Sequence, residues 1–120
     1  MPNRVKLDTI DIMSSHDYRS KQMSRTEAWK RIRKIMTGED PRVMFGHHAL
    51  EEMGNDALNT SDVINILKSS AARIADEPEV KNGTVRYRVK TIQYCVVVSF
   101  MKDADGLFVI TVWKIKRERT

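Results

Sequence analysis

Between Thr84 and Thr91 apolar and charged residues alternate without interruption: Val85, Tyr87 and Val89 share one parity, Arg86, Arg88 and Lys90 the other. Successive side chains of a strand point to opposite faces, so this pattern predicts a half-buried β-strand with three cations lined up on its outer face. The next run, 94–100, is apolar at both parities (Cys95 and Val97; Val96 and Val98), as in a central strand covered on both sides. A third run, 107–115, follows a Gly-containing turn at Asp103-Ala-Asp-Gly106. β-Branched and aromatic residues fill all three, so 83–117 reads as three antiparallel strands, with Val96, Val98, Ile110 and Val112 in the core beneath the helices.

Upstream the apolar period lengthens. Ser24 and Glu27 have capping-box spacing, and Ala28, Trp29, Ile32, Ile35 and Met36 recur at helical intervals. Lys30, Arg31, Arg33 and Lys34 fill the rest of that circumference, as a solvated face or a phosphate-contacting one. Gly38, taking the left-handed C-terminal conformation, and then Pro41 are expected to stop the helix. A second short helix is expected over 47–53, with Ala49, Leu50 and Met53 on its buried side and Gly54 closing it. A third starts near Asn59–Asp62, where several side chains can cap the helix of Val63, Ile64, Ile66 and Leu67. Residues 71–75 suit a first strand or the helix's tail, and 76–83 reads as a turn region in which Pro78 bars a regular interior strand. Residues 1–22, loosely alternating at Val5, Leu7, Ile10 and Ile12 and then polar, are an N-terminal extension of open order, for which a mobile extension, an edge strand and an extra helix all fit, with His16 in solvent. Helices followed by a run of strands predict an α+β fold, a single domain over 23–120 with N-terminal helices packed on a small antiparallel sheet.

Composition adds limits. A chain of 120 residues with 41% hydrophobic and 31% charged side chains builds one ordinary core. No apolar run is long enough to cross a bilayer, so no membrane partner is expected. The lone Cys95 cannot form an internal disulfide and the first residues lack the apolar core of a signal peptide, which points to a reducing cytoplasm. A formal charge of +5 suits polyanions or an acidic protein partner.

Candidate chemistry is sparse. His47 and His48 are adjacent and Cys95 lies in an apolar run far along the chain, so neither a metal set nor a cofactor is expected and Cys95 belongs to the core. His48 can sit at the sheet edge as a capping histidine or as a proton carrier near neutral pH. Arg86, Arg88 and Lys90 can grip phosphate, and Tyr87 between them can stack or donate a proton, although its parity sets it with Val85 and Val89 on the core face. Such a set could cleave RNA, whose 2′-hydroxyl is an internal nucleophile that needs only positioning, proton movement and charge stabilisation.

The stretch Gly83–Phe100, a basic tyrosine-bearing strand leading into Val98-Ser-Phe100, resembles the MqsR-like and related RelE-superfamily toxins, and the section from Phe45-Gly-His-His-Ala-Leu50 to Asp62-Val-Ile-Asn-Ile-Leu67 is similar to toxin-like domains of uncharacterised function with a His-Ala pair opening a helix. The likeness runs from about Ser24 to Asp103. It implies an α+β toxin fold, cleavage of messenger RNA on or off the ribosome, and neutralisation by a cognate antitoxin of MqsA-like type. The family's strand tyrosine aligns with Arg86, one place from Tyr87; its lysine after Val-Ser-Phe aligns with Met101, leaving Lys102 nearest. Arg73 and Lys81 are the loose counterparts of its remaining lysine and glutamine. The expectation is therefore a toxin-like RNA endonuclease with His48, Tyr87 and Arg86 catalytic and Arg73, Arg88, Lys90 and Lys102 holding RNA. The rival is a noncatalytic module of the same fold that binds nucleic acid or an acidic protein.

Overall fold

A computed structural model of the chain describes residues 17–115. The expectations for residues 1–16, for Lys116 and Arg117, and for His16 in particular lie outside the described residues. Among the described residues three helices, α1 (Arg25–Met36), α2 (His47–Asn55) and α3 (Thr60–Lys68), lie against one side of a sheet of β1 (Val43–Phe45), β2 (Arg73–Ile74), β3 (Glu79–Lys81), β4 (Thr84–Lys90), β5 (Tyr94–Phe100) and β6 (Leu107–Lys114). The strand order is β1-β6-β5-β4-β2, with β3 also paired to β4; among the described residues β1–β6 is parallel and the other pairs are antiparallel. This is an α+β fold with a mostly antiparallel sheet, and no helix of the described residues is long and apolar enough to cross a membrane.

Each helix buries a narrow stripe at i, i+4 spacing: Ala28, Ile32 and Met36 on α1, Ala49 and Met53 on α2, Val63 and Leu67 on α3. α2 packs on β6, α3 on β5 and α1, and α1 on β2, so all three stripes meet one sheet face. That face carries Val85, Tyr87, Val89, Val96, Val98, Phe100, Leu107, Val109 and Val112. Leu50 departs from expectation: at about 100° from Ala49 around α2, it turns away from β6 and is exposed.

Caps define the helix starts. Ser24 Oγ accepts the Glu27 N–H at 3.1 Å, but the reciprocal arm of a capping box does not form there. Asn59 and Asp62 complete one, at 2.8 and 3.0 Å. The ends differ from the expected glycine stops. α1 closes through Thr37, whose N–H and hydroxyl both donate to Arg33 O, and Gly38 does not adopt a left-handed conformation. At the end of α2 the left-handed position falls not at Gly54 but at Ala57 (φ 57), with Ala57 N–H donating to Gly54 O and Leu58 N–H to Met53 O. This is the Schellman arrangement with a Cβ where glycine is usual. Ala57→Gly is therefore expected to stabilise the fold by ~0.5–1 kcal/mol, measured as a higher denaturant midpoint at unchanged slope.

Two features of the sheet depart from simple alternation. The expected turn over 76–83 contains β3, which Pro78 precedes and so does not interrupt, and Asn82 (φ 53) with Gly83 (φ 77) forms a tight β3–β4 hairpin, both residues left-handed. In β6 the register to β5 shifts between Val97↔Thr111 and Val98↔Val109, leaving Ile110 as an extra residue. That bulge turns Ile110 away from the helices and lets Val109 join Val112 in the core, correcting the expectation that Ile110 belongs there.

Residues 17–23 run along the start of β4. Val85 N–H donates to Arg19 O and Tyr18 N–H to Lys102 O, both at 2.9 Å. Tyr87 fastens this segment from inside the core: its hydroxyl accepts the Met23 N–H at 3.0 Å, and its ring meets Phe100 edge-on at 5.5 Å.

Candidate functional site

Helices cover one face of the sheet; the other presents Arg86, Arg88 and Lys90 from β4, Cys95, Val97 and Ser99 from β5, and Phe108 and Trp113 from β6. The register sets these in rungs, Lys90–Cys95–Trp113 and Arg88–Val97–Thr111, with Met44, Phe108 and Ser99 in line across β1, β6 and β5. Cys95 is fully buried within this face, and burial pushes its thiol up to about 11, a poor nucleophile at neutral pH.

At one end of the face β4 and β5 part, their last pair being Tyr87↔Val98, and a cleft of about 550 Å³ opens. Arg19, Arg42, Lys81, Arg86 and Lys102 supply its cations, Met44, Phe108 and Ile110 an apolar wall, and Ser99 and Thr84 its hydroxyls. Two of the cations are occupied. Arg19 grips Asp17 at 2.6 Å and holds that carboxyl down to about 2, and Arg42 meets Asp105 at 3.0 Å. Lys81, Arg86 and Lys102 form no ion pair among the described residues. Arg86 Nε is moreover buried with no hydrogen-bond partner among them, a donor desolvated without compensation.

The residues expected from the sequence therefore separate. Arg86 and Lys102 share the cleft. Arg88 and Lys90 share its face but have acidic partners, Glu79 at 3.8 Å and Asp76 at 2.6 Å, and the Arg88 guanidinium also lies 5.9 Å from the Trp113 ring centre. Lys90 holds the Asp76 carboxyl below its ordinary range. Arg73 sits at the far sheet edge in a hollow with Arg25, Trp29 and Lys30. Tyr87 is wholly buried, and burial raises its phenol above the ordinary value, so it is placed to hold the fold together and does not reach the cleft. His48 is exposed on α2, 3.9 Å from Glu52, and outside the cleft lining. His48→Ala is accordingly expected to leave RNA affinity and any cleavage rate within about twofold of wild type, read in parallel binding and single-turnover assays.

The basic face of α1 is partly structural. Arg31 stacks on Tyr18 at 4.6 Å and donates to its hydroxyl, while Arg33 donates to Lys68 O at 2.9 Å and so caps the end of α3. Lys30 and Lys34 remain exposed.

Sequence reasoning missed Arg19 and Arg42 and gave Lys81 only a loose role. The Asn82-Gly83 pair carried the signal for Lys81, because a two-residue hairpin sets residue 81 directly across from Thr84. Arg42 reaches the cleft only because β1 joins β6 in parallel, a long-range pairing with no local signature. Compared with known proteins, the chain matches no family model and no curated protein.

Proposed function

We propose that the protein is a toxin-like RNA endonuclease of the RelE-superfamily, MqsR-like type, which engages single-stranded RNA on the sheet face opposite the three described helices. The observation that carries this reading is the convergence of Lys81, Arg86 and Lys102, none of them ion-paired among the described residues, on a cleft with an apolar wall that Asp103 and Asp105 also line. Guanidinium and ammonium groups match phosphate oxygens, and an exposed aromatic beside them suits an unstacked base.

The chemistry asked of the cleft is electrostatic and positional. The RNA 2′-hydroxyl attacks the adjacent phosphorus and loses its proton to water, the bond to the 5′-oxygen breaks and that oxygen takes a proton from water, and a 2′,3′-cyclic phosphate and a 5′-hydroxyl end result. Arg86 and Lys102 would stabilise the charge that develops on the phosphoryl oxygens, and the cleft would hold the nucleophile in line. A cognate antitoxin, of MqsA-like type by the resemblance, would then act by covering this cationic face.

One observation favours the noncatalytic alternative: neither His48 nor Tyr87, the two proton carriers proposed from sequence, reaches the cleft. Incubation of purified protein with end-labelled RNA, and with the same strand carrying 2′-deoxyribose throughout, separates the readings. Cleavage of the first alone, with cyclic-phosphate ends, supports the endonuclease. Tight, salt-sensitive binding with both strands intact leaves the binding module.

A further inference from the structure

We propose that the cleft is a single-nucleotide pocket, in which Lys81, Arg86 and Lys102 hold one phosphate while Phe108 and Met44 receive the attached base. The inference rests on the RNA reading and narrows it, from a basic face that tracks a backbone to a site built for one unit.

The arrangement follows from strand order. β6 and β4 flank β5, and because β4 leaves β5 beyond Tyr87↔Val98, Phe108 and Arg86 stand more than two strand spacings apart, over roughly 10 Å. Between them on β5 is Ser99, a small side chain that leaves a hollow where its neighbour Val97 would fill one. The cationic wall and the apolar wall thus face each other across a polar floor, which is the layout of a phosphate joined to a base through a sugar. The volume, about 550 Å³, lies within the ~300–1,000 Å³ of small-ligand sites.

Two details suggest that the pocket is shaped for its occupant. Phe108 keeps 37% of its surface exposed beside the exposed Met44, an aromatic and a thioether left uncovered at the cleft. Its ring lies over Gly46, where a Cβ would sit 3.0 Å from Phe108 Cζ, so a glycine keeps the ring in its position against the wall. Opposite, Arg86 lines the cleft without an ion-pair partner among the described residues, so its guanidinium is free to meet an anion there.

Further along the face the pattern stops. Arg88 is drawn to Glu79 and Trp113, and Lys90 to Asp76, so the next cations already have company. An apolar wall stacks any base, so the pocket selects a nucleotide without selecting its identity.

The test uses the full chain and titrates adenosine 5′-monophosphate, adenosine, inorganic phosphate and a single-stranded RNA by calorimetry at one salt concentration. The mononucleotide is expected to bind about 5- to 100-fold more tightly than inorganic phosphate, the contribution of one stacked base, and to displace RNA. Phe108→Leu, which keeps bulk but loses the ring, should bring the mononucleotide down to the affinity of phosphate. Arg86→Gln should weaken both. Equal affinity for mononucleotide and phosphate, or an unaltered mononucleotide affinity in a folded Phe108→Leu, overturns the pocket. If RNA binds with a steep salt dependence but the mononucleotide does not displace it, the pocket fails and the RNA reading stands. If the mononucleotide binds and RNA does not, the reverse holds.

Discussion

Val98→Asp is expected to leave the chain unfolded at room temperature. Val98 is fully buried in the central strand β5, paired with Tyr87 of β4 on one side and Val109 of β6 on the other, and directed at the helices. A carboxylate there would meet only apolar side chains; burying it unpaired costs several kcal/mol, and protonating it instead still leaves an unsatisfied polar group. A domain of this size has ~5–15 kcal/mol of stability in total, so the substitution removes most or all of it. Circular dichroism with a thermal melt reads the result. The paired control is Val80→Asp on β3, where the valine is 57% exposed, for which a change within about 0.5 kcal/mol is expected. A folded Val98→Asp protein melting within a few degrees of wild type would mean that β5 is not the middle of the core.

Arg86→Ala is expected to have the opposite profile, intact folding with lost function. Its buried Nε–H contributes nothing to stability in the absence of a ligand, because no acceptor meets it among the described residues. Removing the side chain should leave the melting temperature unchanged or slightly raised. RNA cleavage should fall by ~10²–10³-fold, the usual loss when one donor to a developing oxyanion is deleted. The slope of log affinity against log salt should shrink by about 0.7, one phosphate contact on a single strand. Arg88→Ala and Lys90→Ala should do less, since each cation is partly neutralised by Glu79 or Asp76. Such exposed pairs contribute only about 0–1 kcal/mol, so RNA can still draw these side chains away. An Arg86→Ala protein with wild-type affinity, rate and salt dependence would move attention from the cleft to Lys30 and Lys34 on α1.

What the sequence determined by itself is whatever a window of a few residues controls. The alternation of Thr84–Lys90 survives unchanged in β4, with Val85, Tyr87 and Val89 in the core and Arg86, Arg88 and Lys90 opposite, because the pleat imposes a period of two on any strand. Ser24 and Asn59 start their helices because a capping oxygen acts over three residues. The hairpin at Asn82-Gly83 was equally legible, and Pro78 masked it: proline is excluded from strand interiors but not from the approach to one. Tertiary structure decided the remainder. The bulge at Ile110 depends on how β6 registers with β5, and its effect, exchanging Ile110 for Val109 in the core, is invisible to a count along β6 alone. The narrow buried stripe of α2, which leaves Leu50 in solvent, reflects packing on β6. Lys81, Arg86 and Lys102 share a cleft with Met44 and Phe108 because β1 closes the far side of the sheet in parallel while Arg19 takes the place beside Val85 that β5 vacates. Cations can be counted from a sequence, but which of them face one another, and which are already paired, depends on contacts between residues tens of positions apart.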